Sequence, residues 1–385
     1  MNLNKIINRK NKNQYKWNNT NSKTISLSVA DMDFRLPKAL INKLKKRVNE
    51  AIFGYEYEGQ NYYEAIIEWM KNKHKLVIKK DWIIPTESVM TGIKIAIQTF
   101  SETGSSIIIQ PPVYSKYSEA IKNNNRKVVS NNLLLMDNKY YINFSDFEKK
   151  IIKNKIKLCI FCNPHNPVGR CWNENEINAL VYICQKHKVI VISDEVHQDF
   201  VFNATFHSVL RSTYKRNENI IIATSPSKTF NMAGLKIANF IIPDKKLREK
   251  FILTKNKNMS KSNNCLGMML CELAYKYGDY WFLKIKKYIY QNIIMVKNHF
   301  RKYRNIKIVQ SESLYLLWLD CRDLKISYDQ LKELFNQKLN IDVIWGDEFG
   351  LIGQGFVRIN VACSKKLLKV ALNRIDDELY KKGIF

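Results

Sequence analysis

The chain has 385 residues, which suits one large plus one small domain or two similar ones. Of these residues 45% are hydrophobic and 12% aromatic, a composition that excludes global disorder. No apolar run approaches the length that crosses a bilayer, and the N-terminal residues lack the apolar stretch of a signal peptide, so we expect a cytoplasmic protein. Lys and Arg total 63 against 35 Asp and Glu, a net charge of +28, but the lysines are scattered along the chain, which indicates a solvated basic surface rather than a specific nucleic-acid site.

Residues 1–35 are expected to form an N-terminal arm or part of a small domain. The first clear helix follows Ser88, because the apolar residues after it recur at helical spacing. Ser88 suits the N-cap, and the free backbone N–H groups of such a helix start bind anions, so Ser88, Val89 and Met90 form a candidate phosphate site. The alternative is an ordinary capped helix.

Four apolar runs rich in β-branched residues follow, at 106–109, 157–162, 189–192 and 219–223. Such runs are typical of strands buried on both faces of a mainly parallel sheet. A helical pattern at 174–188 separates two of them. Repeated β-α-β units predict a doubly wound α/β domain with a mostly parallel central sheet, which we place at residues 36–276.

The remaining residues, 277–385, predict a smaller α+β C-terminal domain. Strands are expected at 314–319, 341–345 and 356–361, and helices at 288–304, 328–336 and 365–380. In the last strand, alternation places Arg358 and Asn360 opposite Val357, Ile359 and Val361. A guanidinium on that face suits an α-carboxylate, and a surface arginine is the alternative.

Polar residues follow three of the central runs, where open α/β sheets bind their ligands. Asn166 follows the second run, Asp194 and His197 follow the third, and Lys228 follows the fourth. A lysine in a partly dry crevice becomes nucleophilic, and a nearby carboxylate suits a pyridinium nitrogen. The combination predicts pyridoxal 5'-phosphate as cofactor. Taken singly, each residue has a simpler explanation. Lys228 would be a solvated surface lysine, Asp194 would cap the next helix, and His197 would be a hydrogen-bonded histidine without a catalytic role.

Cys159 and Cys162 have C-x-x-C spacing but lie within one predicted strand, where residues three apart face opposite sides. No second pair follows at zinc spacing. We therefore expect no metal site, and eight cysteines in so long a chain do not indicate a disulfide scaffold.

These residues resemble the fold-type I pyridoxal-phosphate enzymes of the aminotransferase class I/II superfamily, and more narrowly the cystathionine β-lyase (C–S lyase) branch, the MalY/PatB family. The narrower likeness rests on VADMDF at 29–34 and IFGY at 52–55. The wider one rests on NPHNPVGR at 163–170 and SPSKTFN at 225–231, and the match also includes QPPVY at 110–114, SDEVH at 193–197 and VRIN at 357–360. Residues 344–347 depart from the family pattern at a segment that lines the substrate entrance in relatives.

The resemblance implies a role for each candidate residue. Lys228 would form the Schiff base with the cofactor, Asp194 would pair with the ring nitrogen, and Tyr114 would stack on the ring. The other roles are implied in the same way: Asn166 and His197 at the ring 3-oxygen, Ser88, Val89, Met90, Ser225, Ser227 and Lys236 around the phosphate, and Val29, Tyr114, Asn166 and Arg358 around the substrate. Tyr55 would reach the phosphate of a neighbouring subunit, which implies a homodimer with shared sites.

The sequence therefore predicts a cytoplasmic, homodimeric C–S β-lyase that cleaves L-cystathionine or related S-substituted L-cysteines. Within the same superfamily, an aminotransferase is the alternative. A basic nucleic-acid-binding or regulatory protein is the alternative of another class.

Overall fold

The computed structural model describes residues 2–18, 20–212, 217–260 and 263–381. Its strands are β1 (Ile25–Ser26), β2 (Ile83–Thr86), β3 (Ser106–Ile109), β4 (Lys127–Ser130), β5 (Leu134–Met136), β6 (Lys139–Tyr141), β7 (Leu158–Cys162), β8 (Ile190–Asp194), β9 (Ile220–Thr224), β10 (Ala238–Ile241), β11 (Lys307–Ile308), β12 (Leu316–Asp320), β13 (Ile341–Asp342), β14 (Ile344–Trp345) and β15 (Phe356–Asn360).

The α-helices are α1 (Tyr15–Asn18), α2 (Lys38–Asn49), α3 (Gln60–His74), α4 (Val89–Phe100), α5 (Lys116–Asn123), α6 (Phe144–Lys153), α7 (Glu174–Lys186), α8 (Pro226–Thr229), α9 (Lys245–Lys257), α10 (Cys265–Tyr277), α11 (Asp279–Phe300), α12 (Tyr328–Glu333) and α13 (Lys365–Lys381). Within the described part of the chain, none of them combines the length and apolar character needed to span a membrane.

A seven-stranded sheet in the order β2-β10-β9-β8-β7-β3-β4 forms the centre of the molecule. Strands β3, β4, β7, β8 and β9 run parallel, whereas β10 is antiparallel to both β9 and β2. The four strands predicted from apolar runs are neighbours in this sheet, so the predicted fold class is confirmed. Because β7, β8 and β9 are adjacent and parallel, the residues that follow them meet at one edge.

Apolar clusters cover both faces of the central sheet. Cys159 belongs to one cluster and Cys162 to the other, as the strand alternation predicts. All eight cysteines are free thiols. Among the described residues no group of His, Cys, Asp or Glu is arranged to hold a metal ion.

An antiparallel sheet in the order β11-β12-β15-β14 organises the C-terminal part of the chain. Strand β1 pairs in parallel with β13, which attaches the N-terminal segment to this part. The Asn360 N–H also donates to the Leu27 carbonyl. The division into residues 1–35, 36–276 and 277–385 stays a prediction.

Two predicted elements of this region differ from the structure. The helix expected at 288–304 begins at Asp279, because the first turns bury Trp281, Phe282 and Ile285 against the core. The strand expected at 341–345 is two strands, since β13 pairs with β1 and β14 pairs with β15.

Candidate active site

A cavity of about 420 Å³ lies beyond the carboxyl ends of β7, β8 and β9. Nearly every residue proposed from the sequence lines it: Val29, Ser88, Val89, Met90, Tyr114, Asn166, Asp194, His197, Ser225, Ser227, Lys228, Lys236 and Arg358. Tyr55 does not line it. The cavity thus brings together residues from the N-terminal segment, the central sheet and β15.

Lys228 lies in the short helix α8, directly after β9. Ser225 caps this helix by accepting from the Ser227 N–H, and its own hydroxyl donates to the Ile237 carbonyl. The Lys228 Nζ donates to the Ala30 carbonyl over 2.7 Å. Burial lowers the pKa of Lys228 to about 8, and the Asp31 carboxylate partly opposes that effect. With this pKa roughly a tenth of the amine is neutral at pH 7, and the neutral form is a nucleophile and a proton acceptor.

Asp194 ends β8 and holds two hydrogen bonds. One carboxylate oxygen accepts from the Tyr117 hydroxyl over 2.6 Å, and the other accepts from the Val196 N–H over 3.1 Å. Burial raises the pKa of Asp194, whereas these two donors and the Lys228 ammonium act in the opposite direction. The Asp194 carboxylate is therefore shielded from water, and its two hydrogen bonds fix its orientation in the cavity.

The structure adds Tyr117, which the sequence analysis did not select. Tyr117 is 1% exposed and lies on the inward face of α5 with Ala120 and Ile121. The helical spacing of these three residues was the available signal, because a buried tyrosine hydroxyl requires a polar partner.

His197 and Tyr114 flank the same cavity. The His197 ring is buried, and its Nδ1 has no hydrogen-bond partner in the described part of the chain. Burial, followed by the nearby Lys228 and Arg358 charges, holds the pKa of His197 well below its usual value, so the imidazole is neutral. The Tyr114 ring meets Tyr117 edge-to-face at 5.6 Å. A neutral ring nitrogen without a partner is available to a bound polar group.

Arg358 is 5% exposed. It lies on the same side of the strand as Asn360, as alternation predicts, and both side chains contact the N-terminal segment. Its two Nη atoms donate to the Asn166 Oδ1 and the Ser28 carbonyl, both over 3.0 Å. Its Nε has no partner among the described residues, and no carboxylate there forms an ion pair with it. Burial lowers the pKa of Arg358 to about 10. A buried guanidinium with a free N–H suits a carboxylate ligand.

The start of α4 forms the end of the cavity that suits a phosphate. Ser88 is the N-cap, as predicted, and its Oγ accepts from the Thr91 N–H over 3.0 Å. Gly92 lets this turn lie against β10, because a Cβ at Gly92 would stand 2.0 Å from the Phe240 ring. Suitable ligands for a phosphate are present here: the free N–H groups of the helix start, Lys236, and the serines that line the cavity, Ser88, Ser225 and Ser227.

Tyr55 lies outside the cavity, on a segment without regular structure. Its side chain is 97% exposed, and those of Ile52, Phe53 and Tyr57 are also exposed. In the single chain Tyr55 therefore takes no part in the site. Its expected role depends on a partner subunit and stays a prediction.

Comparisons with known proteins agree with this arrangement. The family model described as aminotransferase class I and II matches residues 22–375. The cystathionine beta-lyase PatB of Bacillus subtilis (strain 168) is 33% identical over 382 residues, which cover 97% of this chain and 99% of that protein.

Two solved structures are similar over almost the whole chain. Cystalysin from Treponema denticola, which contains pyridoxal 5'-phosphate, has a TM-score of 0.95 and 34% identity over 99% of each chain. A PLP-bound putative aminotransferase from Clostridium difficile 630 has a TM-score of 0.93 and 34% identity, covering 97% of this chain and 98% of that one.

Proposed function

Because the chain belongs to the aminotransferase class I and II family, we propose that it is a pyridoxal-phosphate-dependent carbon–sulfur β-lyase. It cleaves L-cystathionine or related S-substituted L-cysteines to a thiol, pyruvate and ammonia. The similarity to a cystathionine beta-lyase over 97% of the chain supports this activity. The observation that carries it is Lys228, an amine with a pKa of about 8 in one cavity with Asp194 and Arg358.

The residues of the cavity fit the cofactor. When bound, pyridoxal phosphate supplies an aldehyde for an amine and a ring that accepts the electrons left by loss of a Cα proton. Asp194 would pair with the ring nitrogen and Tyr114 would stack on the ring, whereas His197 and Asn166 would bind the ring oxygen. The residues that would hold the phosphate are Ser88, Val89, Met90, Ser225, Ser227 and Lys236. The unpartnered His197 Nδ1 and the free start of α4 support this assignment.

The chain's own groups orient the substrate and move its proton. The Arg358 guanidinium, which also donates to Asn166, binds the α-carboxylate of the substrate. Val29 and Tyr114 line the cavity beside this carboxylate. Lys228, in its neutral form, takes the Cα proton. The Asp194 carboxylate, which accepts from Tyr117 and Val196, would hold a proton on the ring nitrogen of the bound cofactor. Orientation by Arg358 and desolvation around Lys228 are the protein's contributions to the rate.

We also propose that the enzyme is a cytoplasmic homodimer in which Tyr55 completes the partner's phosphate site. The exposed aromatic rings of Phe53, Tyr55 and Tyr57 support this proposal, because a cluster of exposed apolar side chains is typical of an interaction surface.

The test is to incubate the holoenzyme with L-cystathionine in the absence of any 2-oxo acid. We expect sustained and equal release of homocysteine, pyruvate and ammonia. The similarity to a putative aminotransferase makes transamination the competing activity. A single half-turnover that resumes only after a 2-oxo acid is added would identify an aminotransferase.

A further inference from the structure

The N-terminal arm, residues 2–18, contacts the candidate active site. Tyr15 of the arm lines the active-site cavity. Arg9 lines a second cavity, whose walls also include Asp31 and Lys228. The arm therefore brings a guanidinium close to the lysine of the site, although the two residues are far apart in the chain.

The Arg9 guanidinium binds residues 31–33. It forms a bidentate pair with the Asp31 carboxylate, in which both nitrogen–oxygen distances are 3.0 Å. It also donates to the Asp33 carboxylate over 2.6 Å and to the Met32 carbonyl over 3.1 Å. The Arg9 side chain is 15% exposed, so these bonds are largely shielded from water. A guanidinium in this geometry holds both the carboxylates and the backbone of the segment in place.

The segment bound by the arm carries the hydrogen-bond acceptor of Lys228. The Ala30 carbonyl, next to Asp31 in the chain, accepts from the Lys228 Nζ over 2.7 Å and from the Tyr315 hydroxyl over 3.1 Å. The Asn360 side-chain amide donates to the Asp31 carbonyl over 2.6 Å. The Lys228 amine is therefore held by backbone that the arm and Asn360 anchor.

The charges of the arm balance those of the segment. Asp31 and Asp33 are matched by Arg9 and by Lys16, whose Nζ lies 3.6 Å from Asp31 and 3.0 Å from Asp33. The Asp31 carboxylate favours the ammonium form of Lys228, because opposite charges attract. Its pairing with Arg9 reduces this attraction, since the guanidinium places a positive charge beside the negative one. Burial then remains the larger effect on the Lys228 amine.

Lys228 also faces titratable groups outside the arm. The Asp194 carboxylate favours its ammonium form, whereas the Arg358 guanidinium disfavours it. Burial holds the pKa of His197 well below its usual value, so this imidazole adds no charge. Other such groups in the cavity walls or at the Ala30 carbonyl include Arg35, Tyr114, Lys116, Lys236, Tyr315 and Glu348. A substitution in the arm leaves all of them unchanged, so its effect on Lys228 comes from the arm itself.

We propose that Arg9 is a positioning residue of the active site. By pairing with Asp31 it limits the negative charge beside Lys228, and by binding residues 31–33 it keeps the Ala30 carbonyl in place for the lysine amine. The arm thereby keeps a neutral amine available at Lys228 near neutral pH. This inference rests on the proposed function, because it takes Lys228 as the residue that binds the cofactor and moves the substrate proton.

The test measures the protonation of Lys228 in the full-length protein freed of cofactor. Trace acetylation at a series of pH values, followed by mass spectrometry of the peptide that contains Lys228, gives the midpoint at which half of the amine is neutral. We expect this midpoint at about 8 in the wild type. In Arg9→Gln it should lie about 0.5–1 pH unit higher, because Asp31 loses one of its two cationic partners. Attachment of pyridoxal phosphate near neutral pH should slow by about three- to tenfold, since the neutral fraction falls by that factor.

Further variants separate the charge of Arg9 from its place in the fold. Arg9→Lys keeps the positive charge and should stay within about 0.3 pH unit of the wild type. Asp31→Asn removes the negative charge and should lower the midpoint, opposite to Arg9→Gln. The double variant should return toward the wild-type midpoint, because the net charge of the group is again zero. The matched control is Arg248→Gln, since the Arg248 side chain is 12% exposed, pairs with Asp81 over 2.9 Å and lies outside both cavities.

A midpoint that stays the same or falls in Arg9→Gln, or that rises equally in Arg248→Gln, would overturn the role of Arg9. If thermal denaturation shows that Arg9→Gln does not fold, Asp31→Asn decides: a lower midpoint supports the proposal, and an unchanged or higher one overturns it. If pyridoxal phosphate does not attach to the wild type, the proposed function fails, whereas the acetylation midpoints still decide the role of Arg9.

Discussion

Replacing Tyr117 by Phe removes one hydroxyl from the candidate active site and keeps the ring. That hydroxyl donates to Asp194 over 2.6 Å, and it is one of two donors that hold this carboxylate. The ring packs against Tyr114 and is 1% exposed, so the aromatic contacts survive the substitution. The change therefore tests the hydrogen bond rather than the packing.

The magnitude follows from the charge on the acceptor. A hydrogen bond to an ionised group contributes about 1.5–3 kcal/mol, and about 1.4 kcal/mol corresponds to a tenfold change in an equilibrium constant. Because the Tyr117 hydroxyl favours the ionised carboxylate, its loss raises the pKa of Asp194 further. The carboxylate then competes roughly ten- to hundredfold better for the proton on the cofactor ring nitrogen.

Two measurements follow the effect. We expect turnover of the Tyr117→Phe holoenzyme to fall by about tenfold or more, since a less protonated ring accepts electrons less well. The ¹⁵N resonance of labelled cofactor should move toward the position of the unprotonated ring. This second readout does not depend on catalysis.

Tyr62→Phe is the matched control. The Tyr62 hydroxyl is also buried and also donates over 2.6 Å, but its acceptor is the neutral Asn239 Oδ1, and Tyr62 does not line the active-site cavity. It should affect stability without moving the ¹⁵N resonance. An unchanged resonance in Tyr117→Phe, or an equal change in both variants, would refute the assigned role of Tyr117.

The remaining predictions concern the lysine, the dimer and the fold. Lys228→Ala should abolish turnover and covalent attachment of the cofactor, and normal turnover would contradict the site. In the apoenzyme, the rate of covalent attachment followed by absorbance should rise with pH and level off above about 8, because the neutral amine attacks; a flat profile through this range would count against the lowered pKa. Mixing Tyr55→Ala with Lys228→Ala subunits should restore activity through one complete site per heterodimer, and no recovery after verified subunit exchange would argue against shared sites. Gly92→Ala should destabilise the fold by about 1–3 kcal/mol in thermal denaturation, because its Cβ meets Phe240 at 2.0 Å. Gly59→Ala, with nothing within 4 Å of the added Cβ, is its control.

The centre of the sheet could be predicted from the sequence because its strands are continuous apolar runs. Strands β2 and β10 escaped prediction, since Pro85 and the buried Asn239 interrupt the apolar pattern. Asn239 is tolerated there because its side chain accepts from Tyr62, a residue far away in the chain. Such compensation depends on tertiary contacts, which local patterns do not contain.

The positions of the site residues could be predicted because parallel strands bring their carboxyl ends to one edge. The polar residues after β7, β8 and β9 therefore meet, whatever the details of the loops. The contacts that tune them could not be predicted. Tyr117 reaches Asp194 from α5, and Asp31 acts on Lys228 from the N-terminal segment.

This chain contains many lysines, so residue type alone does not show which of them has an unusual amine. The burial of the side chain and the charge of its partners do, as a comparison of Lys16 with Lys228 illustrates. Lys16 has a fully buried side chain, but two carboxylates surround it, so its charge is compensated and it joins the arm to Asp33. The hydrogen bond of Lys228 goes to the neutral Ala30 carbonyl, and burial lowers its pKa to about 8. Since burial makes the ammonium costly and the nearby carboxylates offset that cost only in part, the neutral form becomes accessible at Lys228. The same Asp31 that pairs with Arg9 of the arm partly opposes this shift, so the N-terminal arm is electrostatically connected to Lys228.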